Sequence, residues 1–100
     1  MRRAARVVAN QSDIVEALRV VGCTVQPLHA VGQGVPDLLV GFRGQNLLIE
    51  VKDGSKPPSR RRKTEDQVIW HDAWRGQVAV VRNVQEALEA VGIPFRGMIS

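Results

Sequence analysis

Gly34-Val35-Pro36-Asp37-Leu38-Leu39-Val40-Gly41, followed by Leu48-Ile49-Glu50-Val51-Lys52, decides how this chain folds. Both are short apolar runs, and each predicts a strand. Pro36 is tolerated at the first residue of its strand, where its missing N–H falls at the end of the ladder. Side chains two apart on a strand share a face, roughly 6.5–7 Å apart along it. Glu50 and Lys52 therefore share one face, and Ile49 and Val51 point the other way, into a core. A tight connection containing Gly41 and Gly44 lays the Asp37 strand beside them. Two carboxylates and an ammonium are thus expected to converge at one sheet edge. Carboxylates this close raise each other's pKa unless a cation neutralises them. Such a trio is a poor structural device and a good metal site.

Outward from this hairpin the pattern gives the other elements. Ile14, Val15, Leu18 and Val21 follow helical spacing from about Asn10 to Val21, with Asn10 or Ser12 as N-cap and Gly22 as C-cap. Residues 23–28 read as a first strand, 31–35 as a loop, 36–42 and 46–51 as the second and third strands. Thr64-x-x-Gln67 has capping-box spacing and opens a second helix ending near Trp74, with Glu65 and Asp66 in its first turn. Residues 77–81 form a fourth strand, and Asn83-x-x-Glu86 opens a third helix closed by Gly92 and Pro94. The order α-β-β-β-α-β-α predicts a three-layer-like α/β domain with a mixed sheet.

Composition agrees with one small domain. The chain has 100 residues, 44% of them hydrophobic, which excludes wholesale disorder, and Tyr is absent. Its core must therefore come from Val, Leu, Ile and Ala. A chain this short buries only about two thirds of its unfolded surface, so dimerisation is a natural supplement. Cys23 is the single cysteine, which excludes an internal disulfide and any multi-Cys zinc site; it reads as a small buried apolar residue. The basic start Met1-Arg2-Arg3 leads into no apolar signal region, and no run reaches the roughly 18 residues of a membrane span. A cytoplasmic protein is expected. The net charge of +4 is concentrated in Lys56, Arg60, Arg61, Arg62 and Lys63, a segment stiffened by Pro57 and Pro58.

Pro36-Asp37, Glu50 thirteen positions on, and then Val51-Lys52 match the PD-(D/E)xK nuclease pattern. Gly-Val-Pro-Asp-Leu-Leu-Val-Gly, Leu-Ile-Glu-Val-Lys-Asp-Gly and the later Gln67 resemble, more closely, the stand-alone VRR-NUC domains of phages and prophages. The resemblance covers roughly residues 10–90. It implies a restriction-endonuclease-like core, of α-β-β-β-α-β order, with a mixed central sheet flanked by helices. It divides the chain into a basic arm at 1–9, a nuclease domain at 10–93 and a tail at 94–100. It further implies a phage or prophage protein in a bacterial host.

Carried over residue by residue, Asp37 and Glu50 would bind Mg²⁺ or Mn²⁺ with the Val51 carbonyl. Lys52 would orient or activate the attacking water, and Gln67 would face the same site. The chemistry is consistent, because hard oxygen ligands suit these cations. The family also uses an acid early in the first helix. Here the aligned position holds Gln11, with Asp13 and Glu16 nearby, and the sequence leaves the three open. The implied activity is metal-dependent endonucleolytic cleavage of branched DNA, four-way junction resolution foremost, by a homodimer. Flap or nicking cleavage, or a non-catalytic nucleic-acid-binding module, are the rivals.

Each candidate also has a plain structural reading. A Glu50–Lys52 ion pair accounts for those two residues, but not for charge inside a strand otherwise reading Leu-Leu-Ile-x-Val. Asp53 fits an Asp53-Gly54 turn, and Gln67 fits its capping box. His71 reads as a bystander, and so, before an approach to phosphate, does His29 ahead of the glycine loop. Trp70 and Trp74, four apart on one helical face, read as packing or dimer contacts before base stacking. The segment from Lys56 to Lys63 follows Lys52 directly and is expected to contact DNA backbone without reading sequence.

Overall fold

The computed structural model describes residues 10–53 and 64–94. The expected N-terminal arm, the 54–63 segment with Lys56, Arg60, Arg61, Arg62 and Lys63, the Gly54 half of the expected turn, and residues 95–100 lie outside the described residues. The elements are α1 (Gln11–Val20), β1 (Thr24–Pro27), β2 (Leu38–Phe42), β3 (Gln45–Val51), α2 (Glu65–Ala73), β4 (Val78–Val81) and α3 (Val84–Ala90). Their order is the expected one, and the ends differ from the sequence reading by a residue or two.

The sheet has strand order β1-β2-β3-β4. β1, β2 and β3 run antiparallel, and β4 joins β3 in parallel. This mixed sheet follows from the connections: a two-residue turn suffices between β2 and β3, whereas a parallel partner needs a crossover. The turn is Arg43-Gly44, both with positive φ, at 52° and 80°, the backbone that matches the twist of paired strands. Gly41 was expected in this connection, but it lies inside β2, opposite Thr24 and Asn46. A Cβ there would meet Thr24 Oγ1 at 2.8 Å.

Leu38 pairs with Ile49 and Val40 with Leu47, so these side chains share one face. They join Val51, Val25 and Val81 beneath Ile14 and Leu18 of α1 and Ala87 of α3 in the hydrophobic core. α1 and α3 pack against each other on that side. The helix ends are held differently from expectation. Asn10 precedes α1 but makes no side-chain cap; its Nδ2 donates instead to the carbonyl of Arg82 at 2.6 Å. That bond fixes the start of α1 to the C-terminal end of β4. At Thr64 the expected capping box is complete. α2 has no buried residue, and its first turn meets the other face of the sheet through Gln67. No helix among the described residues is long and apolar enough to cross a membrane.

Candidate active site

The face opposite the core carries the charged residues of the hairpin. Glu50 sits between Ile49 and Val51 but points away from them, and it is only 2% exposed. Asp37 lies just before β2; the Leu38–Ile49 pairing, continued by one residue, sets it across from Glu50. The two carboxyl groups come within hydrogen-bonding reach of each other. Asp37 Oδ2 also accepts a 2.7 Å bond from the Val51 amide. Beyond the end of the ladder, Lys52 N donates to the Val81 carbonyl at 2.8 Å. This fixes the backbone from which its ammonium turns back to Glu50 Oε2, at 3.5 Å.

Gln67, in the first turn of α2, closes the cluster. Its Nε2 donates to Glu50 Oε2 at 2.6 Å, and its Oε1 accepts from Lys52 Nζ at 2.9 Å. The same Oε1 accepts from Thr64 N at 3.0 Å, and Gln67 N donates to Thr64 Oγ1 at 3.3 Å. One side chain therefore serves both as the helix's capping residue and as the clamp on Glu50 and Lys52. The expected capping box is present, and the same side chain lies against Glu50 and Lys52.

Burial raises the pKa of Asp37 above the ordinary carboxylate range. The Val51 N–H, the charges of Lys52 and His29, and the Glu50 carboxyl pull it partly back. His29 is exposed on the loop between β1 and β2, yet its charge acts on Asp37. The sequence put it only within possible reach of a phosphate; its place beside a carboxylate depends on how the loop folds back. Leu28 N donates to the Asp37 carbonyl at 2.7 Å and pins the two ends of that loop together.

Of the three first-helix candidates, Gln11 is buried on the inward side with Ile14 and Leu18, whereas Asp13 and Glu16 are exposed. The Asn10–Arg82 bond brings the start of α1 to the strand ends where Val51 and Lys52 lie. His71 meets Trp70 edge-on with 5.3 Å between ring centroids, and Trp70 stacks on Trp74 at 4.8 Å. These rings contact one another along α2.

Among the described residues no group of three or more His, Cys, Asp or Glu could hold a metal. The donor set is two carboxylates, with neutral oxygens near them. That set fits a cation which keeps several of its own waters, as Mg²⁺ does. A desolvated acid pair beside a clamped ammonium is suited to binding a hard cation and an adjacent anion.

No protein-family model matches the chain, and no curated protein is significantly similar to it. Among solved structures it is similar to a chain described as a VRR_NUC domain. The two are 28% identical with a TM-score of 0.61, over 81% of this chain and 88% of that one.

Proposed function

We propose that the chain, which is similar in fold to a VRR_NUC domain, is a metal-dependent DNA endonuclease whose reaction centre is Asp37, Glu50 and Lys52. The observation that carries this reading is the meeting of Asp37, Glu50, Lys52 and Gln67 from three separate segments in one bonded cluster.

Asp37 and Glu50 would hold Mg²⁺ or Mn²⁺ together with the Val51 carbonyl. Gln11 is the neutral oxygen donor available from α1, in preference to the exposed Asp13. When bound, the cation supplies charge neutralisation at the phosphate and lowers the pKa of a bound water. Lys52, held by Gln67 Oε1 at 2.9 Å, orients the attacking water and offsets charge on the scissile phosphate. Gln67 bridges the ammonium and the Glu50 carboxylate, which lie 3.5 Å apart. Lys56, Arg60, Arg61, Arg62 and Lys63 follow Lys52 in sequence and are proposed as phosphate contacts. Each such contact adds roughly 0.9 to the log–log salt slope of binding.

Within nucleases, we favour four-way junction resolution by a homodimer, since symmetric cleavage of two strands needs paired sites related by a two-fold axis. Leu39, Val68, Ile69, Trp74 and Val80 are large apolar residues left 37–60% exposed, surface that a second copy would cover. The test is cleavage of a synthetic four-way junction, a flap and a linear duplex with Mg²⁺ or Mn²⁺. Paired nicks across the junction are expected, falling by about 10²–10³-fold in Lys52→Ala and abolished in Asp37→Ala. Single nicks on flaps by a monomer would replace resolution with flap cleavage. Binding without any cleavage would leave a nucleic-acid-binding module and end the enzymatic reading.

A further inference from the structure

The loop from Leu28 to Asp37 and the first turn of α2 belong to segments far apart in sequence, yet they meet at one residue. A Cβ built on Gly34 would lie 2.3 Å from the Asp66 carbonyl oxygen, 2.5 Å from its carbon and 2.9 Å from Gln67 N. The obstacle is peptide backbone in a capped helical turn, so it has no flexible end to swing away. Gly34 also has φ of +81°, and it closes a run of three left-handed residues with Gly32 at +72° and Gln33 at +60°. The neighbouring Gly32 has the same backbone hand but nothing within 4 Å of a Cβ. Gln33 shows that a side chain is accepted in this conformation where space allows. The two glycines thus separate backbone strain from steric exclusion.

We infer that Gly34 is a positioning residue. The missing side chain lets the loop that ends at Asp37 seat on the first turn of α2, and this contact sets where Gln67 grips Glu50 and Lys52. α2 has no buried residue of its own to locate it on the sheet. The Gln67 bonds and this seat are contacts that place it over the cluster. Adding one methyl group at Gly34 pushes the Asp66–Gln67 peptide outward and stretches the 2.6 Å and 2.9 Å bonds made by Gln67. Among the described residues Lys52 then keeps Glu50, at 3.5 Å, and the charge of Asp37.

This rests on the reading of Lys52 and Glu50 as reactive groups, but its test has a part that needs no cleavage. In metal-free wild-type protein studied by NMR, a cross-peak between Gly34 Hα and the Gln67 backbone amide is expected. Its absence overturns the seat, whether or not Gly34→Ala can be folded. In Gly34→Ala the Gln67 side-chain amide resonances are expected to shift, with core resonances of Ile14, Leu38 and Ile49 unmoved. In Gly32→Ala they stay at their wild-type positions. A folded Gly34→Ala with an unshifted Gln67 side chain overturns the inference. In the cleavage assay, Gly34→Ala lowers kcat by up to about 10²-fold, the scale of a displacement near 1 Å, with KM little changed. Gly34→Ala added to Gln67→Ala lowers kcat no further, because both act through one contact; full additivity would overturn the inference. Should wild type cleave nothing, the nuclease reading fails, while the NMR results still decide the seat.

Discussion

Beneath α1 and α3, Leu38, Val40, Ile49 and Val51 are at most 1% exposed, whereas on the opposite face Leu39 and Val80 remain 37% and 45% exposed around a Glu50 that is 2% exposed. The first face is held by apolar burial, which has no preferred direction and scales with area. The second buries one carboxylate, and does so by directional bonds from Gln67 and Lys52. A lone buried carboxylate would cost far more than it returns, so each of its partners matters. Most of the fold's stability and the proposed chemistry therefore reside on opposite sides of the same strands. Successive residues of β3 alternate between the two tasks.

The largest effect that tests this division is on the core side. Ile49→Ala removes a fully buried side chain next to Glu50 and should lower unfolding stability by about 2–5 kcal/mol, read from denaturant melts. Val80→Ala, on the opposite face, should change stability by no more than about 0.5 kcal/mol. Equal losses in the two variants would mean that the site face is as tightly packed as the core. The division would then be wrong.

A smaller effect sharpens it. Thr64 Oγ1 accepts from Gln67 N, and Thr64 N donates to the Oε1 that also holds Lys52. Thr64→Ala should cost about 1 kcal/mol, the usual loss for an N-cap. Hydrogen exchange should show the loss as faster opening of α2 with core strands β2 and β3 unchanged. A uniform rise in exchange across the sheet would show that α2 is coupled to the core, contrary to its lack of buried residues.

These contrasts also explain what could be read in advance. Asp37, Glu50 and Lys52 were legible because strand alternation is local and the hairpin is short, so two-residue spacing fixes the face. Gln67 was legible twice over, since its distance from Thr64 is itself a capping signal. The seat of Gly34 on Asp66 was not, because it joins residues 32 positions apart through a loop with no periodic pattern. His29 beside Asp37 and the Asn10 bond to Arg82 depend on the same kind of closure. Asn10 is, with Ser12, one of two residues of cap-forming type at this helix start, but the Arg82 carbonyl, 72 positions on, takes its amide instead. Helical spacing puts Gln11 on the inward face with Ile14 and Leu18, as the structure has it. Facing inward does not by itself make a side chain a ligand, so sequence left Gln11, Asp13 and Glu16 open.

The smallest expected effect concerns the cost of the charged side. Burial holds the pKa of Asp37 above the ordinary aspartate value of 3.8. On raising the pH, the unfolded chain then releases this proton first. The favourable contribution of protonated Asp37 is complete below that ordinary value and is lost as pH climbs through the higher folded one. At neutral pH the metal-free protein consequently carries a desolvated carboxylate at a net cost. Asp37→Asn keeps the shape and removes the charge, so it should be more stable than wild type at pH 7, by an amount that shrinks as the pH falls into the acid range. Thermal melts of both proteins across pH 3–7 would measure this, and a difference independent of pH would show that the Asp37 carboxylate is not strained by burial. Adding Mg²⁺ should reverse the ranking at pH 7, because a ligand held only by the folded wild type stabilises it by RT ln(1 + [L]/Kd). That reversal would assign the cost of the half-buried acid to the binding of a cation.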